Sequence, residues 1–130
     1  MAAAVADYRV MSVSKNKIKK SEKEFSLKEF SLKLVKNADI LAEVLKRRKR
    51  SQKVIGFAAE TDHLRQNALD KWKRKPCDLL VANRVGGRQS AFENDQNELL
   101  VFSQKRTKPL ILKKDFKSKL AEQILDLLDE

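Results

Sequence analysis

Two apolar runs, Lys53-Val-Ile-Gly-Phe-Ala-Ala59 and Asp78-Leu-Leu-Val-Ala82, flank a stretch whose apolar residues recur at helical spacing. Each run is short and almost continuously apolar, as a strand buried on both faces must be. Between them Thr61 offers a side-chain cap, Leu64, Ala68 and Trp72 line one face, and Pro76 stops the helix after about Lys75. Strand, helix and strand joined this tightly form a βαβ unit, so the two strands should run parallel.

The remaining segments extend that unit. Asn37 is positioned to cap a helix with Asp39 in its first turn, and Ile40, Leu41, Val44 and Leu45 give that helix one apolar face. It ends in Lys46-Arg-Arg-Lys-Arg50, where cations complement the helix dipole. Asn97-Glu-Leu-Leu-Val-Phe102 reads as a third buried strand and Leu110-Ile-Leu112 as a shorter fourth. Asp115 then opens a final helix with Phe116, Leu120, Ile124, Leu127 and Leu128 on one side. Arg84 to Asn97 is a polar loop containing Gly86-Gly87, which matches neither a dinucleotide fingerprint nor a P-loop.

The front of the chain is different in character. Met1 to Val5 reads as the end of a buried strand whose beginning lies upstream. Residues 12–24 are polar and lysine-rich, and a short tandem repeat follows, Glu24-Phe-Ser-Leu-Lys28 and Glu29-Phe-Ser-Leu-Lys33. Phe30, Leu32 and Leu34 alternate with polar residues, as in a half-buried strand.

Composition narrows the chemistry. Lys plus Arg number 29 against 18 for Asp plus Glu, a net charge of +11, which favours an anionic partner: nucleic acid, anionic lipid or nucleotide phosphates. The single cysteine, Cys77, excludes an internal disulfide and a cysteine-rich metal site, and the single histidine, His63, excludes zinc sites built from histidines. No apolar run approaches the roughly 20 residues of a membrane span. The chain therefore reads as a soluble, cytoplasmic domain.

Three basic features are candidates for function. The run Lys46 to Arg50 reads first as a solvated helix end, and no nucleic-acid motif accompanies it. The cluster Lys15-Asn-Lys-Ile-Lys-Lys20 reads equally as a polyphosphate cover and as a solvated loop. At about 100° per residue, Lys71 and Lys75 stand one turn apart along the edge of the apolar face of the 61–75 helix, whereas Lys73 and Arg74 point elsewhere. Such a pair either snorkels or lines an anion pocket.

Six segments in order resemble the phosphopantothenoylcysteine synthetase domain of coenzyme A biosynthesis, within the DNA/pantothenate metabolism flavoproteins. They are Ala2-Ala-Ala-Val-Ala-Asp-Tyr-Arg9, Lys17-Ile-Lys-Lys-Ser21, Leu34-Val-Lys-Asn-Ala-Asp-Ile-Leu41, Ile55-Gly-Phe-Ala-Ala-Glu-Thr61, Asp78-Leu-Leu-Val-Ala-Asn83 and Asp95-Gln-Asn97. The resemblance spans nearly the whole chain and corresponds to the C-terminal part of that domain. It implies an α/β fold, a Rossmann-like three-layer and mostly parallel sheet, with a protruding dimerisation arm at residues 12–35. It also implies CTP-dependent ligation of 4′-phosphopantothenate with cysteine through an acyl-cytidylate, with magnesium.

By the same resemblance, Ala2, Ala3, Asp7, Ala38, Asp39, Ile40, Leu41 and Phe57 would border the CTP, Lys71 and Lys75 would contact it, and Lys17 would serve both nucleotide binding and the ligation chemistry. The partners implied are the three small substrates and a second copy of the chain, with no membrane and no specific nucleic acid. The glycine-rich front of the synthetase and the flavin-dependent decarboxylase domain are expected upstream, so no flavin is expected in this part. A basic nucleic-acid-binding protein and a fold remnant without catalysis are the alternatives. The chain departs from the family at Ala38, where proline is usual, at Arg84, where aspartate is usual, and at Ala91, where glycine is usual.

Overall fold

A computed structural model describes residues 5–17, 31–86 and 95–130, which divide into two units, residues 1–40 and 41–130. In the first unit β1 (Tyr8–Val10) pairs antiparallel with β2 (Leu34–Lys36), Tyr8 opposite Lys36 and Val10 opposite Leu34. A two-stranded ribbon is marginal by itself, so side chains matter at its end. Asn37 donates from Nδ2 to the Ala6 carbonyl at 2.7 Å and accepts from Arg9 Nη1 at 3.1 Å, while its N–H donates to the Asp7 carbonyl at 2.8 Å.

Those bonds correct the expected cap. The Asn37 amide is spent on the ribbon, and α1 begins later, at Ile40, and runs to Arg47. Asp39 therefore precedes the helix, and Glu43 is the acid of its first turn. Leu32 and Leu34 are exposed and not half-buried within this unit, as is Val5. Residues 1–4, and Phe25, Leu27 and Phe30 of the tandem repeat, lie outside the described residues.

The second unit carries the sheet. Its strands are β3 (Ile55–Glu60), β4 (Leu79–Arg84), β5 (Gln96–Ser103) and β6 (Leu110–Phe116), adjacent in that order. The βαβ expectation holds: β3 and β4 are parallel, in register from Ile55–Leu79 to Glu60–Arg84, with α2 (Leu64–Arg74) between them in sequence. The pairs β4–β5 and β5–β6 are antiparallel, so the described sheet is mixed and its parallel character is confined to the βαβ unit. The short 104–109 turn explains one of these pairs, because a parallel pair needs a crossover of a dozen or more residues.

Helices cover both faces, giving three layers. Leu79, Val81, Leu99, Val101 and Leu112 of the sheet pack with Leu120, Ile124 and Leu127 of α3 (Lys117–Asp129). On the other face Ala58, Leu80, Ala82, Leu100 and Phe102 pack with Ala68, Leu64, Leu69 and Trp72 of α2 and with Leu45 of α1. Full burial of each large aliphatic side chain here contributes about 1.5–3 kcal/mol. The Trp72 and Phe102 rings lie 6.3 Å apart, tilted by 31°, and dock α2 across β5.

Two more helix starts differ from expectation. α2 begins at Leu64, where its apolar face begins, and its N-cap is His63 instead of Thr61. His63 adopts a left-handed conformation (φ 42°), and its side chain makes no capping bond. Asp115 does not open α3. It belongs to β6, in register with Asn97, and its carboxylate accepts from the Phe116 N–H at 2.8 Å. Phe116, expected inside, is the exposed N-cap of α3. Among the described residues no helix is long and apolar enough to cross a membrane.

Candidate functional site

In the second unit the residues singled out for the nucleotide sit on α1, on β3 and at the end of α2. Strand alternation sends Gly56, Ala58 and Glu60 toward α2 and Phe57 to the opposite face, where it is 67% exposed. No described strand pairs with the outer edge of β3. Phe57 and the α2 lysines thus lie on opposite faces of the sheet.

Lys71 is held by a carboxylate. Its Nζ lies 3.6 Å from Glu60 Oε1, and both side chains are half-buried. Asn67, one helical turn earlier, donates from Nδ2 to Glu60 Oε2 at 3.3 Å and to the Asp62 carbonyl at 3.1 Å. Helical spacing creates this arrangement, because residues four apart on α2 stack over the same strand end. Lys71 is therefore a positioned ammonium at the C-terminal end of β3, where open α/β sheets bind ligands. Lys75 is the C-cap of α2, half-buried, its N–H donating to the Lys71 carbonyl at 2.9 Å.

Glu60 and Asn67 were missed as functional candidates. Glu60 is next to last in the segment Ile55–Thr61 that carries the resemblance, yet only the fold shows that its carboxylate meets the lysine eleven positions later. A carboxylate ending an apolar strand before a helix with an inward lysine is the signal that points to it.

Leu41 packs against β3 at its one glycine. A Cβ on Gly56 would stand 2.9 Å from Leu41 Cδ2, 3.0 Å from Leu80 Cδ1 and 3.1 Å from Cys77 Sγ, so glycine is what admits α1 this close. Cys77 is buried, its thiol donating to the Leu79 carbonyl at 3.0 Å. Burial pushes the thiol pKa up, which makes it a poor nucleophile.

The other expected residues belong to the first unit. Asp7 and Lys17 are exposed, Asp7 just before β1 and Lys17 beyond it. Ala38 and Asp39 link β2 to α1, and Ile40 is the first residue of α1. Ala2 and Ala3 lie outside the described residues, as do residues 87–94 of the polar loop, with Ala91 among them. Arg84 ends β4, in register with Glu60, and the neighbouring Val85 N–H donates to the Glu60 carbonyl at 2.9 Å. Among the described residues no group of three or more His, Cys, Asp or Glu is placed to hold a metal ion.

The whole chain, residues 1–130, matches the family described as DNA/pantothenate metabolism flavoprotein C-terminal domain. The coenzyme A biosynthesis bifunctional protein CoaBC of Haemophilus influenzae is 44% identical over 111 residues, covering 85% of this chain and 26% of that protein. Its Escherichia coli K12 counterpart is 40% identical over 124 residues, covering 95% of this chain and 30% of that one. The chain thus spans less than a third of the length of these relatives. Among solved structures, the C-terminal domain of a coenzyme A biosynthesis bifunctional protein CoaBC superposes with a TM-score of 0.64 at 26% identity, over 95% of this chain and 48% of that one. The DNA/pantothenate metabolism flavoprotein from Streptococcus pneumoniae gives 0.65 at 23% identity, over 97% and 57%, and supports the fold alone.

Proposed function

Because the chain belongs to the family of the DNA/pantothenate metabolism flavoprotein C-terminal domain, we propose that it supplies the nucleotide-contacting part of a phosphopantothenate–cysteine ligase of coenzyme A biosynthesis. The observation that carries this reading is Lys71. Helical periodicity singled it out, and its ammonium pairs with Glu60 at the C-terminal end of β3, the end at which open α/β sheets generally bind ligands.

In the proposed reaction a carboxylate oxygen of 4′-phosphopantothenate attacks the α-phosphorus of CTP. The bond from that phosphorus to the bridging oxygen breaks, pyrophosphate leaves, and an acyl-cytidylate remains. The amine of cysteine then attacks the acyl carbon and loses a proton, and the acyl–oxygen bond breaks to release CMP. Negative charge gathers on phosphate oxygens in the first step, and fixed ammonium groups stabilise it without reorganising. Lys71 and Lys75 serve that need. Lys71 exchanges part of its contact with Glu60 for a phosphate oxygen.

Ala2, Ala3, Asp7, Ala38, Asp39, Ile40, Leu41 and Phe57 border the nucleotide, and Lys17 acts in the cysteine step. Magnesium would enter with the nucleotide and supply further neutralisation of its charge. The protein is cytoplasmic, and the arm at residues 12–35 pairs with a second copy. Three substrates must be held together, and most of the rate comes from that positioning. Residues 1–130 alone therefore form no amide, and the synthetase residues that precede this segment in its relatives restore the reaction.

Single-turnover assays with labelled phosphopantothenate test this by following acyl-cytidylate and amide separately. In the completed enzyme Lys71→Ala weakens the first step through nucleotide binding, and Lys17→Gln impairs the second. Amide formation by residues 1–130 alone, or normal kinetics of both steps in Lys17→Gln, contradicts the respective assignment.

A further inference from the structure

We propose that the end of the 41–130 unit where β3, β4 and β6 begin is a surface that grips the phosphodiester backbone of a duplex nucleic acid without reading its sequence. It lies at the other end of the strands from Glu60 and is independent of the ligase reading.

Two basic segments meet there. Residues 46–53 read Lys-Arg-Arg-Lys-Arg-Ser-Gln-Lys, six cations in eight positions, and the turn joining β5 to β6 adds Lys105, Arg106 and Lys108. The short segment before β4 ties them together. Arg48 Nη1 donates to Asp78 Oδ2 at 2.5 Å, and Asp78 Oδ2 also accepts from the Val54 N–H at 2.8 Å. From the other side Gln104 Nε2 donates to the carbonyls of Pro76 at 2.9 Å and Cys77 at 3.2 Å. The two segments therefore flank β4, about 10 Å apart at ordinary strand spacing.

The carboxylates at this end neutralise part of the array, and among the described residues the exposed Lys49, Arg50, Lys105 and Lys108 are the cations outside those pairs. Asp78 is engaged by Arg48, and Glu130 by Arg106. Asp126 and Asp129 lie in the last turn of α3, and Glu43 pairs with Lys46 and Arg47 on α1. Lys49, Arg50 and Lys105 are exposed.

The chemistry of the segments selects the partner. Neither 46–53 nor 104–108 contains an aromatic or large aliphatic side chain. A membrane surface would be held by charge alone, without the apolar anchor that strengthens interfacial binding. A single strand would lack a platform for its bases to stack on. What remains is a surface of Lys and Arg suited to phosphates, which positions a duplex and carries no sequence information.

The test measures binding to a fluorescent DNA duplex of about 20 base pairs across a salt series, in the full chain. Neutralising about four phosphates gives a slope near −4 in log K against log salt. The variant Lys49→Gln, Arg50→Gln, Lys105→Gln should lower the magnitude of that slope by about 3. The variant Lys113→Gln, Lys114→Gln, Lys117→Gln removes the same charge from exposed positions toward the other end of the unit, and should retain wild-type affinity. Circular dichroism checks that both fold. Hydrogen exchange on the wild type supplies a readout without substitution, with duplex protection expected in 46–53 and 104–108. Equal losses in the two variants, or protection elsewhere, would show that net charge alone attracts the duplex and overturn the proposal. Equal affinity for vesicles containing anionic lipid, with the same sensitivity to substitution, would overturn it in favour of a membrane face.

Discussion

Asp78 joins three segments through one carboxylate, accepting from Arg48 and from the Val54 N–H, with Lys53 4.0 Å away. Desolvation acts to raise its pKa, but the Val54 bond and the Arg48 charge outweigh it and hold the group below its ordinary 3.8. A depressed folded-state pKa gives stability that is present above the unfolded value and is lost as pH falls through the folded one. Asp78→Asn should therefore cost about 1–3 kcal/mol near neutrality, since it leaves Arg48 without its carboxylate. Chemical denaturation of both proteins should show that gap closing below pH 3.8; a gap that persists into strong acid would contradict the account. At this scale the sequence was informative where periodicity sufficed. Lys71 was identified at the edge of an apolar face, and it is half-buried there. Glu60 was not assigned a role, because strand patterning does not specify which later side chain its carboxylate meets.

The elements were legible where they bury a face and less so at their ends. The βαβ unit followed from two apolar runs, a helical spacing and Pro76, and the parallel register bears it out. Helix starts depend on backbone geometry and on competing hydrogen bonds. Asn37 was the natural cap for α1 until Ala6 and Arg9 claimed its amide. Thr61 was the natural cap for α2, but the turn continues through a left-handed His63. That conformation costs a non-glycine residue about 1–2 kcal/mol. His63→Gly should consequently raise the melting temperature, by an amount reduced by the added freedom of the unfolded chain. A lower melting temperature would mean that the imidazole contributes more than the strain costs. At β3 the tight approach of Leu41, Leu80 and Cys77 to Gly56 predicts that Gly56→Val overpacks the α1–β3 contact by about 1–3 kcal/mol. Denaturant unfolding checks this, and an unchanged midpoint would show that α1 yields at no cost.

On the scale of the molecule, the α/β class and the helices on both faces of the sheet were legible, because α2 and α3 each carry one apolar stripe. The mixed pairing was not, since continuous apolar strands such as Leu99–Phe102 look alike in parallel and antiparallel neighbours. Family membership came from six ordered segments and holds over residues 1–130. The site assignments are split between the two units, with Asp7, Lys17, Ala38, Asp39 and Ile40 in one and Leu41, Phe57, Lys71 and Lys75 in the other. Isothermal titration of the chain with CTP and magnesium, beside a short RNA, tests the central claim most directly. The account predicts a saturable CTP response that Lys71→Ala weakens by about tenfold, the loss of roughly 1.4 kcal/mol. It also predicts only weak, salt-sensitive and sequence-independent RNA binding. Tight, sequence-selective RNA binding with no response to CTP would contradict it.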